Sequence, residues 1–124
     1  MSKTIAAAFA LCLVIAPASV RAEGFSISFK WCSGSSEIRL AGVPKGTATL
    51  EARMVDLWVT SYDHGGGAVV YKGQKTIPCG AISKFRGPAP PAGQVHDYRW
   101  TVRALGADGS ELAVAEAVRK FPEP

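Results

Sequence analysis

The chain has 124 residues, with 14 Lys and Arg against 10 Asp and Glu, 48% apolar residues, 13 Gly, 8 Pro and 3 Cys, and a formal net charge of +4. That length suits one domain and excludes two. The charge is too small and too dispersed for nucleic-acid binding, and no aromatic-plus-basic stretch stands out to read a single strand.

Residues 1–22 read as an export leader: Lys3, an apolar run from Ile5 to Ala16, then Val20-Arg21-Ala22 with small residues at a cleavage site. The run is too short to span a bilayer, so no transmembrane segment is expected. Cys12 does not suit lipid attachment, because it lies inside the run and follows Leu11. The mature chain is then a single domain over 23–124, periplasmic or secreted. Loss of Lys3 and Arg21 leaves 12 basic and 10 acidic side chains, a net charge of +2.

Phe25, Ile27, Phe29 and Trp31 alternate with Ser26, Ser28 and Lys30, which predicts a strand with one face on the core. A turn over 32–36 leads to a short strand at 37–40, and Val43-Pro44-Lys45-Gly46 is a second turn. Alternation resumes from Thr47 to Trp58, with Ala48, Leu50, Ala52 and Met54 on the inner side. Gly65-Gly66-Gly67 interrupts as a loop, Ala68 to Tyr71 is a brief strand, and 77–85 is a loop or short extended piece. Gly87-Pro88-Ala89-Pro90-Pro91-Ala92-Gly93 forms a stiff loop, since prolines donate no ladder bonds.

A second long strand runs from Val95 to Leu105, with Tyr98, Trp100, Val102 and Ala104 inward and His96 on the same parity. After a turn at 106–109, Ser110 to Phe121 is Ala-rich, with Leu112, Ala115 and Val118 near helical spacing. This predicts a short C-terminal helix capped by Ser110, although Leu112, Val114 and Val118 also suit an edge strand. The sum is a mostly β domain of two packed antiparallel sheets with long loops.

Without Cys12, the remaining Cys32 and Cys79 form an even pair in a compartment that permits disulfides. One bridge is expected, closing a loop of roughly 48 residues worth about 3 to 4 kcal/mol; two buried free thiols are the alternative. The only two histidines, His64 and His96, each adjoin an unusual backbone segment: the three glycines and the proline-rich loop. A lone inward histidine is more often a satisfied core residue, but two so placed suggest one shared site. Gly65 and Gly66, free of β-carbons, suit a nest of amides around an anion.

Other chemistries are weaker. His-Gly-Gly-Gly also occurs as an oxyanion-hole segment of lipases, yet no Gly-x-Ser-x-Gly elbow is present and the chain is too short for that fold. A metal site from His64, His96 and Asp56 or Asp63 lacks any short-range ligand pair. No cofactor is implied, and no enzyme activity is expected.

The stretch "SSEIRLAGVPKGTATLEARMVD", then "HGGG", then "GPAPPAGQVHDYRWTVRAL" resembles the phosphatidylethanolamine-binding protein family, in the bacterial branch whose first motif carries His-Gly-Gly-Gly. The resemblance runs from about Glu37 to Phe121. It implies a β-sandwich with a small anion pocket at one end, taking phosphate, acetate or a phospholipid headgroup. Asp56 matches the start of the family's Asp-Pro-Asp-x-Pro motif, His64 its first-motif histidine, Pro90 and Pro91 its proline wall, and His96 with Tyr98 its second-motif pair. Leu57, Trp58 and Thr60 depart from that motif, and Ala89 stands where the branch commonly has cysteine. The expected function is a non-enzymatic binding protein for a small anion or headgroup. The alternative is an interaction or inhibitor module with a protein partner and a vestigial pocket.

Overall fold

The computed structural model describes Ala10 and residues 24–124; apart from Ala10, the expected leader at 1–22 lies outside the described residues. Eight strands follow in chain order: β1 (Ser26–Cys32), β2 (Ser35–Ala41), β3 (Thr47–Asp56), β4 (Asp63–Val70), β5 (Thr76–Ile77), β6 (Lys84–Phe85), β7 (His96–Gly106) and β8 (Glu111–Phe121). They form two antiparallel sheets, one of order β1-β2-β5 and one of order β6-β4-β3-β7-β8.

The period-two pattern dictates how these sheets meet. Phe29, Ile38 and Leu40 from the small sheet and Leu50, Ala52, Met54, Trp100 and Val102 from the large one form a single buried core. On β7 the inward set Tyr98, Trp100, Val102 and Ala104 is 0% exposed, as alternation requires of a strand in the middle of its sheet. Burial of the Trp100 indole leaves its N–H in need of an acceptor, and Ser36 Oγ on β2 supplies one at 3.0 Å. That bond ties the two sheets together inside the core.

The expected C-terminal helix is not formed, and among the described residues there is no helix. Residues 111–121 instead pair with β7 from Leu105↔Glu111 to His96↔Phe121. Ala113 and Ala115 face the core while Val114 and Val118 face out. The helix preference of alanine, a few tenths of a kcal/mol per residue, is outweighed by this ladder and by the contacts of β8 with β1. There Arg119 donates to the Phe29 carbonyl at 2.7 Å and Trp31 to the Lys120 carbonyl at 2.8 Å. No described helix is long and apolar enough to cross a membrane.

Cys32, at the end of β1, is bridged to Cys79, with Cα atoms 6.2 Å apart. The bond fastens the connection after β5 to the edge of the small sheet. Replacing both cysteines by serine is expected to lower unfolding free energy by about 3 kcal/mol, read from the urea midpoint, because the 47-residue separation no longer restricts the unfolded chain. An unchanged midpoint would contradict this.

Candidate functional site

The large sheet gathers three strand ends at one place. Asp56, the last residue of β3, pairs directly with Tyr98 on β7, and His96 begins that strand two residues earlier on the same inward face. His64 arrives from β4 by a less regular route. Gly66 pairs with Arg53 and Asp63 with Val55, so His64 and Gly65 together oppose the single residue Met54. This is a β-bulge, one extra residue on β4. In an unbroken ladder His64 would share the outward parity of Gly66 and Arg53. The extra residue restores inward parity to His64, beside Met54, and Gly65 absorbs the irregularity at φ +77°.

The glycine run therefore has a different cause from the expected loop. It lies within β4, flanked by β3 and β6. A β-carbon on Gly65 would overlap the Lys84 carbonyl oxygen, and one on Gly66 the Ala52 carbonyl oxygen. What approaches these glycines is neighbouring main chain. The Gly65 amide is already engaged by Asp63 Oδ1 at 2.7 Å. Gly65 and Gly66 border a shallow groove of about 370 Å³ with Arg53, Asp63 and Lys84, and do not line the cavity that holds the histidines.

That cavity measures about 230 Å³. Its walls bring together Asp56, His64, His96 and Tyr98 with Pro90 and Pro91, six of the eight binding residues named from sequence; Val59, Tyr62, Gly87 and Ala89 complete it. The Tyr98 ring lies between the imidazoles, with centroids 5.4 Å from His64 and 6.4 Å from His96. His96 Nδ1–H donates to Asp56 Oδ2 at 2.7 Å, both side chains being nearly fully enclosed. Its Nε2 meets the Gln94 side-chain amide at 2.8 Å, and Trp58 stacks on the ring face with centroids 4.8 Å apart. Asp56 also accepts the Trp58 backbone N–H at 2.8 Å.

His64 differs in having a nitrogen to spare. Nδ1–H donates to the Arg86 carbonyl at 2.9 Å, and among the described residues Nε2 has no hydrogen-bond partner. The Tyr98 hydroxyl is fully buried; the Asp56 carboxylate and the Ala89 backbone lie near it, but among the described residues no atom meets it with well-formed hydrogen-bond geometry. Burial pushes this phenol up to about 12, helped by the neighbouring Asp56 charge, so it holds its proton at neutral pH. For Asp56, burial alone would raise the carboxyl, but the His96 bond, the Trp58 amide and the imidazole charge outweigh it and hold it below its ordinary value. The cavity thus offers a neutral hydroxyl and one imidazole nitrogen, beside a carboxylate hydrogen-bonded to His96.

Gln94, Tyr62 and the Arg86 carbonyl were not legible as site groups, because they depend on loop placement. Trp58 was legible as an apolar neighbour of the proline wall, and its stack on His96 is the added finding. Among the described residues, no group of three or more His, Cys, Asp or Glu is arranged to hold a metal ion. No family model, curated protein or solved structure matches the chain.

Proposed function

We propose that this chain is an exported, non-enzymatic binding protein of the phosphatidylethanolamine-binding type, whose cavity takes a small phosphate-type anion or a phospholipid headgroup. The observation that carries this reading is the buried Tyr98 hydroxyl, without a well-formed hydrogen bond among the described residues, in a cavity lined by both histidines. An unpaired buried donor costs about 1–3 kcal/mol, and a ligand oxygen at that point removes the cost. His64 Nε2 suits the same ligand, since an imidazole nitrogen can accept from a protonated phosphate or donate to an ionised one. A volume of about 230 Å³ fits a headgroup and not a drug-sized molecule. No Ser, Thr, Cys or Lys is among the lining residues, which favours binding over nucleophilic chemistry.

Tyr98→Phe separates ligand binding from folding, because it deletes only the orphan oxygen. Calorimetric titration with inorganic phosphate and with phosphoethanolamine is expected to show wild-type binding that falls tenfold or more in the variant, from the roughly 1.5–3 kcal/mol of one hydrogen bond to a charged group. Thermal stability should stay level or rise. Equal affinities, or no wild-type binding of either compound, would sink the reading.

A further inference from the structure

The cavity has an apolar rim that the headgroup reading does not use. Leu57, Trp58, Val59 and Tyr62, in the connection from β3 to β4, are all exposed, Trp58 at 61%, and so is Val95 just before His96. Val59 and Tyr62 also form cavity wall, and Trp58 lies flat on His96. Five exposed large apolar side chains in the two segments that supply cavity residues exceed the scattered exposure ordinary for a small domain. Trp58 is moreover held in place, by its stack and by the bond from Nε1 to Asp97 Oδ2 at 3.2 Å. An indole already fixed loses little freedom on docking.

We propose that this rim rests on a zwitterionic phospholipid surface with the cavity mouth turned toward the headgroups. The purpose of the contact rests on the headgroup reading above, but the contact itself does not. Area favours lipid over protein. The five side chains expose roughly 500 Å², short of the ~800 Å² that each partner contributes to a stable protein interface. A shallow bilayer contact needs only a few anchors, and Trp and Tyr, apolar bodies with a polar tip, settle at headgroup depth. Charge then selects the kind of lipid. Lys120 is paired with Asp97 at 2.8 Å, whereas Arg86 is bonded to Tyr62 and Asp63 is paired with Arg53. With Lys120 neutralised and Arg86 as the single cation left beside the rim among the described residues, the pull toward an anionic surface is weak, which matches a surface whose headgroups carry both signs.

The test is flotation of the purified chain with phosphatidylcholine–phosphatidylethanolamine vesicles, with tryptophan quenching by brominated lipid. Trp100 is fully buried and Trp31 half-buried, so the quenching that disappears in Trp58→Ser is the part that reports on Trp58. Vesicle binding that is insensitive to salt, and that drops about tenfold in Trp58→Ser and clearly in Leu57→Ser, is expected. Three results overturn the proposal: no quenching, capture only by anionic vesicles that salt abolishes, or a Trp58-dependent dimer in sedimentation without vesicle binding. Parallel calorimetry with free phosphoethanolamine keeps the two readings apart. Soluble binding without vesicle binding removes the rim proposal alone, and vesicle binding without soluble binding removes the cavity reading alone.

Discussion

Alanine at Gly66 is expected to destabilise the protein by about 4 kcal/mol or more, among the largest effects a single added methyl group produces. The new β-carbon would overlap the carbonyl oxygen of Ala52, a main-chain atom of β3. No side-chain rotation relieves that clash. Either β3 shifts, disturbing Leu50, Ala52 and Met54 in the core, or β4 gives up its register with Arg53 and Lys84. Gly67 supplies the control, because a β-carbon there makes only ordinary contacts, with the Ile82 side chain at 3.4 Å and the Ser83 amide nitrogen at 3.8 Å. Urea unfolding of both variants decides the matter. A Gly66→Ala midpoint close to that of Gly67→Ala would show that the strands part more easily than their spacing implies.

The second large effect concerns the pair His96 and Asp56. Removing the imidazole leaves a carboxylate that is 4% exposed, with the Trp58 amide as its remaining well-formed hydrogen bond among the described residues. Stranding one member of a buried pair costs about 3–5 kcal/mol, so His96→Ala is expected to lose that much stability at neutral pH. The acid dependence follows the same logic. The folded Asp56 carboxyl lies below its ordinary value of 3.8, so near that pH the unfolded chain takes the proton more readily. The stability contributed by the pair is fully present above this range and is lost as pH falls through the folded value. In His96→Ala, burial remains while the opposing imidazole bond and charge are gone. The carboxyl moves upward, toward or above its unfolded value, so the acid loss of stability from this group shrinks or reverses. Urea midpoints followed down the acid range measure both effects, and adding Asp56→Ala should recover part of the loss. A variant whose midpoint and acid profile match the wild type would refute the mutual dependence.

The parts of the fold legible from sequence are those in which a strand's own side chains carry the signal. Alternation at 25–31, 47–56 and 96–104 marks β1, β3 and β7 and the inward faces of Tyr98 and Trp100, because a half-buried strand must alternate whatever its neighbour. The last strand misleads because alanine at 113, 115 and 117 satisfies a helix by composition and a strand by parity. Only the presence of β7 alongside decides between them. The glycines mislead for a related reason. A chain with no β-carbons suits an open loop as well as a crowded ladder, and the crowding comes from Ala52 and Lys84 on other strands. At the site, Asp56, His64, Pro90, Pro91, His96 and Tyr98 were named from motif likeness and meet at one cavity. Gln94 became visible only through its contact with His96, since an exposed amide carries no local mark of its role.

The irregularity at Gly65 has a genetic corollary. Loss of that one triplet from the reading frame would straighten the pairing of β4 with β3 and leave His64 directly opposite Met54, still facing inward, while every other rung of the ladder kept its partner. A lineage could thus add or remove the bulge in a single in-frame event without turning the imidazole away from the cavity.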